Sequence, residues 1–118
     1  MPYKYRDYSH IAAEASLAAG DQGKYWEMHD LLLAPGAKLD RDALVQMAAK
    51  LALDVKRFAA DLDGMRHQGV IERDKALAVS IDLYETPTYF INGRKVVGNR
   101  EFEYLKKVID EELAHVKL

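Results

Sequence analysis

The stretch ETPTYFINGR, from Glu85 to Arg94, holds the residue types best suited to contact a partner. It reads as a loop closed by Pro87, a short apolar strand and a tight turn at Asn92-Gly93. No thiol accompanies these groups, because the chain contains no cysteine. Disulfides, thiolate chemistry and cysteine-ligated metals are therefore excluded within these 118 residues.

His10 and Glu14 stand four residues apart, a spacing that places both on one face of a helix and suits a metal ion. A third ligand is missing from this pattern, and a pair alone is a weak metal signal. The sequence therefore predicts a solvated surface pair.

The segment Trp26–Asp30 contains two carboxylates, an imidazole and an indole. On a helix, Glu27 and Asp30 share one face at a separation of three residues, whereas His29 lies apart from them. The spacing therefore does not assemble a metal site or an acid–base pair.

The remaining charged residues are predicted to lie on ordinary surfaces. Asp61 and Asp63 come at the end of a predicted helix. Arg94, Lys95 and Arg100 form a small basic group beside the predicted hairpin, where charge discourages unwanted strand pairing. The sequence shows neither a Ser-His-Asp pattern nor a phosphate-binding glycine loop.

Length and composition set the class of protein. The chain has 118 residues and a mass of 13.4 kDa, of which 49% are hydrophobic and 31% charged, as in one globular domain. A net charge of −2 gives no basic face for nucleic acid. The apolar runs are too short to cross a bilayer, and no signal-peptide pattern is visible.

Hydrophobic periodicity predicts several helices, then one hairpin, then a last helix. Asp40 and Asp54 are the predicted N-caps, and Gly20 and Gly64 are predicted to end their helices. The predicted helices run approximately over His10–Gly20, Gly23–Leu33, Asp40–Leu51, Asp54–Gly64, His67–Leu83 and Asn99–Val116.

The predicted hairpin poses a physical problem. The strand Thr88–Ile91 is apolar at nearly every position, which is typical of a strand buried on both faces inside a larger sheet. A lone hairpin is marginal in water, and unpaired buried backbone groups are costly. We therefore expect this strand to pair with a second copy of the chain or with the segment Tyr3–Tyr5.

Three segments carry a resemblance to a known family: AAEASLAAGDQGKYWEMHDLLL, LDRDALVQMAAKLALDVKRFAADLD and ETPTYFINGRKVVG. In this order, from about Tyr5 to Leu113, the chain resembles the C-terminal portion of a DsbA-like thiol:disulfide oxidoreductase of the thioredoxin superfamily. The implied fold class is α/β, leaning towards α+β. It is a partial thioredoxin-like fold, in which a helical insertion is followed by a ββα unit.

The resemblance implies a single domain over residues 1–118. Residues 1–8 would be a residual strand, residues 9–83 the helical domain, and residues 84–118 the cis-proline loop, the hairpin and the C-terminal helix. The half of the family fold that carries the Cys-x-x-C motif has no counterpart in this sequence.

The resemblance also implies a binding site. The bond between Thr86 and Pro87 would be cis, and Thr86, Pro87 and Thr88 would bind substrate polypeptide. No catalytic residue, metal ligand or cofactor is implied within this chain. The family usually has glycine before the Thr-Pro pair, whereas this sequence has Glu85 preceded by Tyr84. A carboxylate there would disfavour a nearby thiolate.

The implied function is thiol–disulfide exchange, with this cysteine-free chain redox-inactive by itself. Two alternatives stay open: a non-catalytic module that binds peptide by strand pairing, and a relative of the glutathione-dependent kappa-type transferases and isomerases. The expected partners are polypeptides and a second copy of the chain, without nucleic acid or membrane. Members of the family often work in the periplasm or elsewhere outside the cytoplasm, so the sequence leaves the compartment open.

Overall fold

The computed structural model describes residues 8–116. These residues fall into two compact units, of which the first ends at Leu77 and the second begins at Ala78. The predicted residual strand at residues 1–8, apart from Tyr8, and the pairing segment Tyr3–Tyr5 lie outside the described residues. The predicted organisation stays a prediction: a single domain with a helical part at residues 9–83 and a part with the loop, hairpin and last helix at residues 84–118.

All the predicted helices and the hairpin are present, and their ends differ from the predicted ones by at most three residues. Between residues 8 and 116, no helix combines the length and apolar character needed to cross a lipid bilayer. The elements are α1 (Ser9–Asp21), α2 (Tyr25–Leu32), α3 (Arg41–Lys50), α4 (Val55–Asp63), α5 (Gln68–Ser80), β1 (Thr88–Ile91), β2 (Arg94–Val97) and α6 (Phe102–Ala114).

The first unit has a core built around the small side chains of α1. Ala15, Ala18 and Ala19 are fully buried and let the neighbouring helices approach closely. Buried side chains from α2, α3 and α4 fill the space around them, and all but one are larger than alanine. These are Met28, Leu44, Ala48, Phe58 and Leu62.

Glu14 lies inside this core, so the predicted solvated pair with His10 is wrong. Its residue is only 1% exposed. One carboxylate oxygen accepts the backbone N–H of His67 at 2.9 Å, and the other lies 3.6 Å from His10 Nε2. The first contact offsets part of the cost of burying the carboxylate, whereas the second oxygen has no hydrogen-bond partner among residues 8–116. Glu14 therefore ties α1 to the residue that precedes α5.

Helices α1, α3, α4 and α5 end in the same pair of backbone hydrogen bonds, the Schellman motif. The motif places one residue in the left-handed conformation, which glycine adopts without steric cost. That residue is Gly23 after α1, but Ala52, Met65 and Asp82 after the others, with φ of 59°, 50° and 57°. The predicted stop at Gly20 is wrong, because α1 continues to Asp21.

Replacing Ala52 with glycine is expected to raise the free energy of unfolding of the first unit by about 1 kcal/mol, because it relieves the left-handed strain after α3. The matched control is Ala49→Gly in the last turn of α3, which is expected to lower that free energy by about 1 kcal/mol. Urea unfolding followed by circular dichroism measures both. If both substitutions lowered the free energy of unfolding by the same amount, the left-handed conformation assigned to Ala52 would be contradicted.

Candidate functional site

The three predicted binding residues form the junction between the loop after α5 and strand β1. The Thr86–Pro87 peptide bond is cis, as the resemblance implies. Thr86 and Pro87 are exposed, whereas Thr88 is half-buried and begins β1. All three belong to the second unit.

The hairpin that follows has a two-residue turn at Asn92-Gly93. Both residues have positive φ, 51° and 81°, as a type I′ turn requires. The turn fixes the antiparallel register, in which Ile91 lies opposite Arg94. The predicted hairpin is therefore confirmed.

This register determines where the backbone groups of β1 point. In an antiparallel pair, hydrogen-bonded and non-hydrogen-bonded residue pairs alternate, and a two-residue turn is closed by a hydrogen-bonded pair. Ile91 and Tyr89 therefore direct their N–H and C=O groups towards β2. The alternation extends to Pro87, whose carbonyl accepts the amide of Gly98 at 2.8 Å. Thr88 and Phe90 consequently direct their backbone groups away from β2.

The outward edge of β1 lacks a strand partner within residues 8–116, where the sheet consists of β1 and β2 alone. We call the backbone N–H and C=O groups of Thr88 and Phe90 the open edge. A strand edge of this kind is a ready template for pairing with another polypeptide.

One face of the hairpin packs against α6. Val96 and Val108 are buried there. Arg94 donates a hydrogen bond to Glu111 at 2.6 Å across the same face. This hydrogen bond lowers the pKa of the Glu111 carboxyl below its ordinary value.

The other face of the hairpin is only partly covered. Phe90 is 48% exposed there, and Tyr89 on the α6 face is still 40% exposed. Within residues 8–116, β1 is therefore not buried on both faces, and its cover by a second copy or by Tyr3–Tyr5 stays a prediction. The physical reason is that α6 covers one side alone, and β1 has a single neighbouring strand among the described residues.

A small cavity of about 70 Å³ lies on this second face, beside the cis bond. Most of its lining residues are polar or charged. The lining residues are Asp82, Tyr84, Glu85, Thr88, Lys95 and Val97.

The basic residues near the hairpin are engaged within the second unit. Lys95 Nζ donates to the carbonyl oxygen of Asp82 at 2.8 Å. Arg100 Nε donates to the carbonyl of Val97 at 3.0 Å, and its guanidinium lies 5.1 Å from the ring centre of Tyr104. These side chains hold neighbouring segments in addition to placing charge beside β2.

Of the two carboxylates at the end of α4, Asp63 lies on the surface of the first unit as predicted, whereas the Asp61 side chain is only 12% exposed, so the prediction of a surface charge is wrong for Asp61. Asp63 accepts two hydrogen bonds from Arg41, at 2.6 and 2.8 Å. These bonds lower the pKa of Asp63 below its ordinary value. Asp61 lies 3.7 Å from Arg66.

The aromatic and charged residues of α2 do not converge on a site. Trp26 contacts the rings of Tyr25 and His29, and its side chain is 67% exposed rather than packed in the core. His29 Nδ1 lies 3.3 Å from the carboxylate of Asp30. Within the described part of the chain, no three His, Asp or Glu side chains are placed to hold a metal ion.

Comparison with known proteins places these features in a family. The family model described as the DSBA-like thioredoxin domain matches residues 3–110. This chain belongs to the DSBA-like thioredoxin domain family. The DsbA-like assignment made from three sequence segments is thereby confirmed.

A solved structure supports the same fold for this DSBA-like chain. A thioredoxin-like oxidoreductase from Silicibacter pomeroyi DSS-3 superposes with a TM-score of 0.77 at 26% sequence identity. The match covers 98% of this chain and 66% of that one. The predicted fold class, a partial DsbA-like α/β fold, is confirmed.

The curated relatives of this DSBA-like chain are much longer proteins. It is 40% identical over 111 residues to a Na(+)/H(+) antiporter NhaA 1 of Salinispora arenicola, a match that covers 94% of this chain and 17% of the antiporter. It is also 40% identical over 100 residues to NhaA of Herminiimonas arsenicoxydans, covering 85% and 16%. The chain thus spans about one sixth of the length of these relatives.

Proposed function

We propose that this chain forms the polypeptide-binding side of a DsbA-like thiol–disulfide oxidoreductase, with Thr86, Pro87 and Thr88 as binding residues. The observation that carries the proposal is the open edge, which begins directly after the cis bond. An extended polypeptide binds such an edge by adding a strand, and main-chain hydrogen bonds then supply affinity for many sequences. Membership of the DSBA-like family supports the reaction class.

The sulfur for this reaction would come from a segment outside the 118 residues. Exchange requires a thiolate that attacks a disulfide and forms a mixed disulfide, and this chain has no cysteine. The oxidoreductase from S. pomeroyi leaves room for such a segment, because about a third of its chain lies outside the match.

Antiport is not proposed for this chain. The similarity to the NhaA relatives covers about one sixth of their length, and the thioredoxin-domain family model matches nearly the same residues. The likeness supports a DSBA-like domain as one part of a longer protein.

An NMR titration with an extended synthetic peptide tests the binding proposal. Strand addition is expected to shift the amide resonances of Thr88 and Phe90 more than those of Tyr89 and Ile91, because only the first two amides face outward. A peptide methylated on alternate backbone nitrogens is the control, since it cannot complete the ladder. Equal shifts along β1, or no shifts, would contradict strand addition.

The expected homo-oligomer would use the same edge. Two β1 strands paired antiparallel about a two-fold axis at Tyr89 would join Thr88 of one copy to Phe90 of the other. Light scattering at rising protein concentration, with and without the peptide, shows whether a second copy of the chain and the peptide compete for the open edge. A dimer that the peptide dissociates supports a shared edge. A monomer at every concentration would contradict self-pairing. Peptide binding would then be judged from the NMR titration alone.

A further inference from the structure

The segment from Asp82 to Pro87 leads from α5 into β1 and carries the cis bond. Three hydrogen bonds from the hairpin hold its start, middle and end. Lys95 Nζ donates to the carbonyl of Asp82 at 2.8 Å, and Thr88 Oγ1 donates to the carbonyl of Glu85 at 2.5 Å. The amide of Gly98 donates to the carbonyl of Pro87 at 2.8 Å.

Lys95 differs from the other two donors in where it comes from and what it holds. It lies in β2, opposite Phe90, so its side chain reaches the segment from the second strand. The group it binds is the carbonyl of Asp82, the left-handed residue that ends α5. A hydrogen bond from an ammonium group is roughly twice as strong as one between neutral groups.

Lys95 also lines the cavity beside this segment, together with Asp82, Tyr84 and Glu85 of the segment itself. Its ammonium group is the side-chain donor that reaches the Asp82 carbonyl from β2. Loss of Lys95 would therefore release the start of the segment.

We propose that Lys95 is a positioning residue for the cis-proline loop, acting through the Asp82 carbonyl; this inference rests on the proposed polypeptide binding at Thr86–Thr88. A segment that already has its bound conformation in the free protein loses no further conformational entropy when the peptide binds. Each residue ordered only on binding weakens affinity by about 5- to 30-fold. Lys95 thus supports affinity without touching the peptide.

The test compares Lys95→Met, which keeps an apolar side chain of similar length, with Lys95→Arg, which keeps a cationic donor. The matched control is Lys106→Met on α6, because Lys106 is another exposed lysine with a single hydrogen-bond partner, Asp110 at 2.8 Å. Three quantities are measured on the whole chain: the dissociation constant for the extended peptide, hydrogen exchange of the Leu83 and Gly98 amides, and the thermal unfolding midpoint.

Lys95→Met is expected to weaken peptide binding about tenfold and to speed exchange of the Leu83 and Gly98 amides by a similar factor, with little change in the unfolding midpoint; these amides donate to Ala78 and Pro87 at the two ends of the segment. Lys95→Arg is expected to restore most of both properties, and Lys106→Met to leave both unchanged. Thr88→Val, which removes the donor to Glu85, is expected to speed exchange of the Gly98 amide.

Unchanged exchange and unchanged affinity in Lys95→Met would overturn the inference. The inference would also be overturned if Lys95→Met lost affinity in proportion to a lowered unfolding midpoint and Lys95→Arg did not restore that affinity. Lys95 would then act on the stability of the fold alone. If the unmodified chain binds no peptide while Lys95→Met still speeds exchange, the proposed function fails and the positioning role stands.

Discussion

The purified chain is expected to catalyse thiol–disulfide exchange no faster than buffer. The reaction forms and breaks bonds at sulfur, and the chain contains no cysteine to supply a thiolate. No other side chain replaces it, because methionine sulfur carries no ionisable proton. Reduction of a disulfide substrate by excess small thiol, with and without the chain, measures this. Turnover above the buffer rate, with contaminating thiols excluded, would contradict the proposal that the sulfur of the reaction comes from a segment outside these 118 residues.

The gain-of-function arm of this experiment has a larger expected effect. A βαβ segment bearing Cys-x-x-C is fused ahead of the chain, and its matched control carries serine in place of both cysteines. A cysteine at a helix N-terminus has its pKa lowered from about 8.5 to between about 3.5 and 7.5, so much of it is thiolate at neutral pH. Activity is expected in the cysteine fusion alone. A fusion that binds peptide but stays inactive would favour the non-catalytic interaction module.

Replacing Phe58 with alanine is expected to lower the free energy of unfolding of the first unit by about 3–5 kcal/mol. Phe58 is the largest fully buried side chain of this unit. The fully buried α1 residues of the same cluster are alanines, which have no side-chain length with which to fill the space left behind. A unit of this size is stable by only about 4–12 kcal/mol, so the variant is expected to be partly unfolded near body temperature.

The control for this substitution is Leu33→Ala. Leu33 is 71% exposed just after α2, so its truncation is expected to change stability by less than about 0.5 kcal/mol. Urea denaturation of both variants, followed by helical circular dichroism, gives the comparison. A loss below about 1 kcal/mol for Phe58→Ala would mean that the α1 core collapses around the gap or is not the stabilising centre of the unit.

The elements that sequence predicts well are those with a local physical cause. Asp54 caps α4 as predicted, because its carboxylate accepts the amide of Arg57 at 3.1 Å. Asp40 precedes α3 at the predicted place but makes no such side-chain bond. The turn at Asn92-Gly93 follows from two residues that tolerate positive φ. Caps and turns of this kind depend on a few neighbouring residues, and these are visible in sequence.

Features set by distant contacts are not visible in this way. The burial of Glu14 depends on an amide 53 residues away in sequence. The left-handed residues after α3, α4 and α5 are not glycines, so their conformation is not visible in the sequence, although Gly64 directly follows α4 as predicted. The role of Lys95 depends on the pairing of two strands and on a carbonyl at the end of α5, and a surface lysine carries no sign of either.

The candidate site is predictable only to the extent that it is local. Thr86, Pro87 and Thr88 are contiguous, so one motif identifies them together. The direction of the backbone groups on β1 is a different matter, since it follows from the register that Ile91 and Arg94 set across the turn. Only the paired strands reveal that Thr88 and Phe90, rather than Tyr89, present their amides outward.

Trp26 is the single tryptophan of the chain, and it lies on α2 in contact with Tyr25 and His29. Its indole emission therefore monitors the first unit only, whereas tyrosine absorbance, to which Tyr25 contributes as well as Tyr84, Tyr89 and Tyr104, reports both units. Two wavelengths recorded in one melting experiment would show whether the two units lose structure together or in succession.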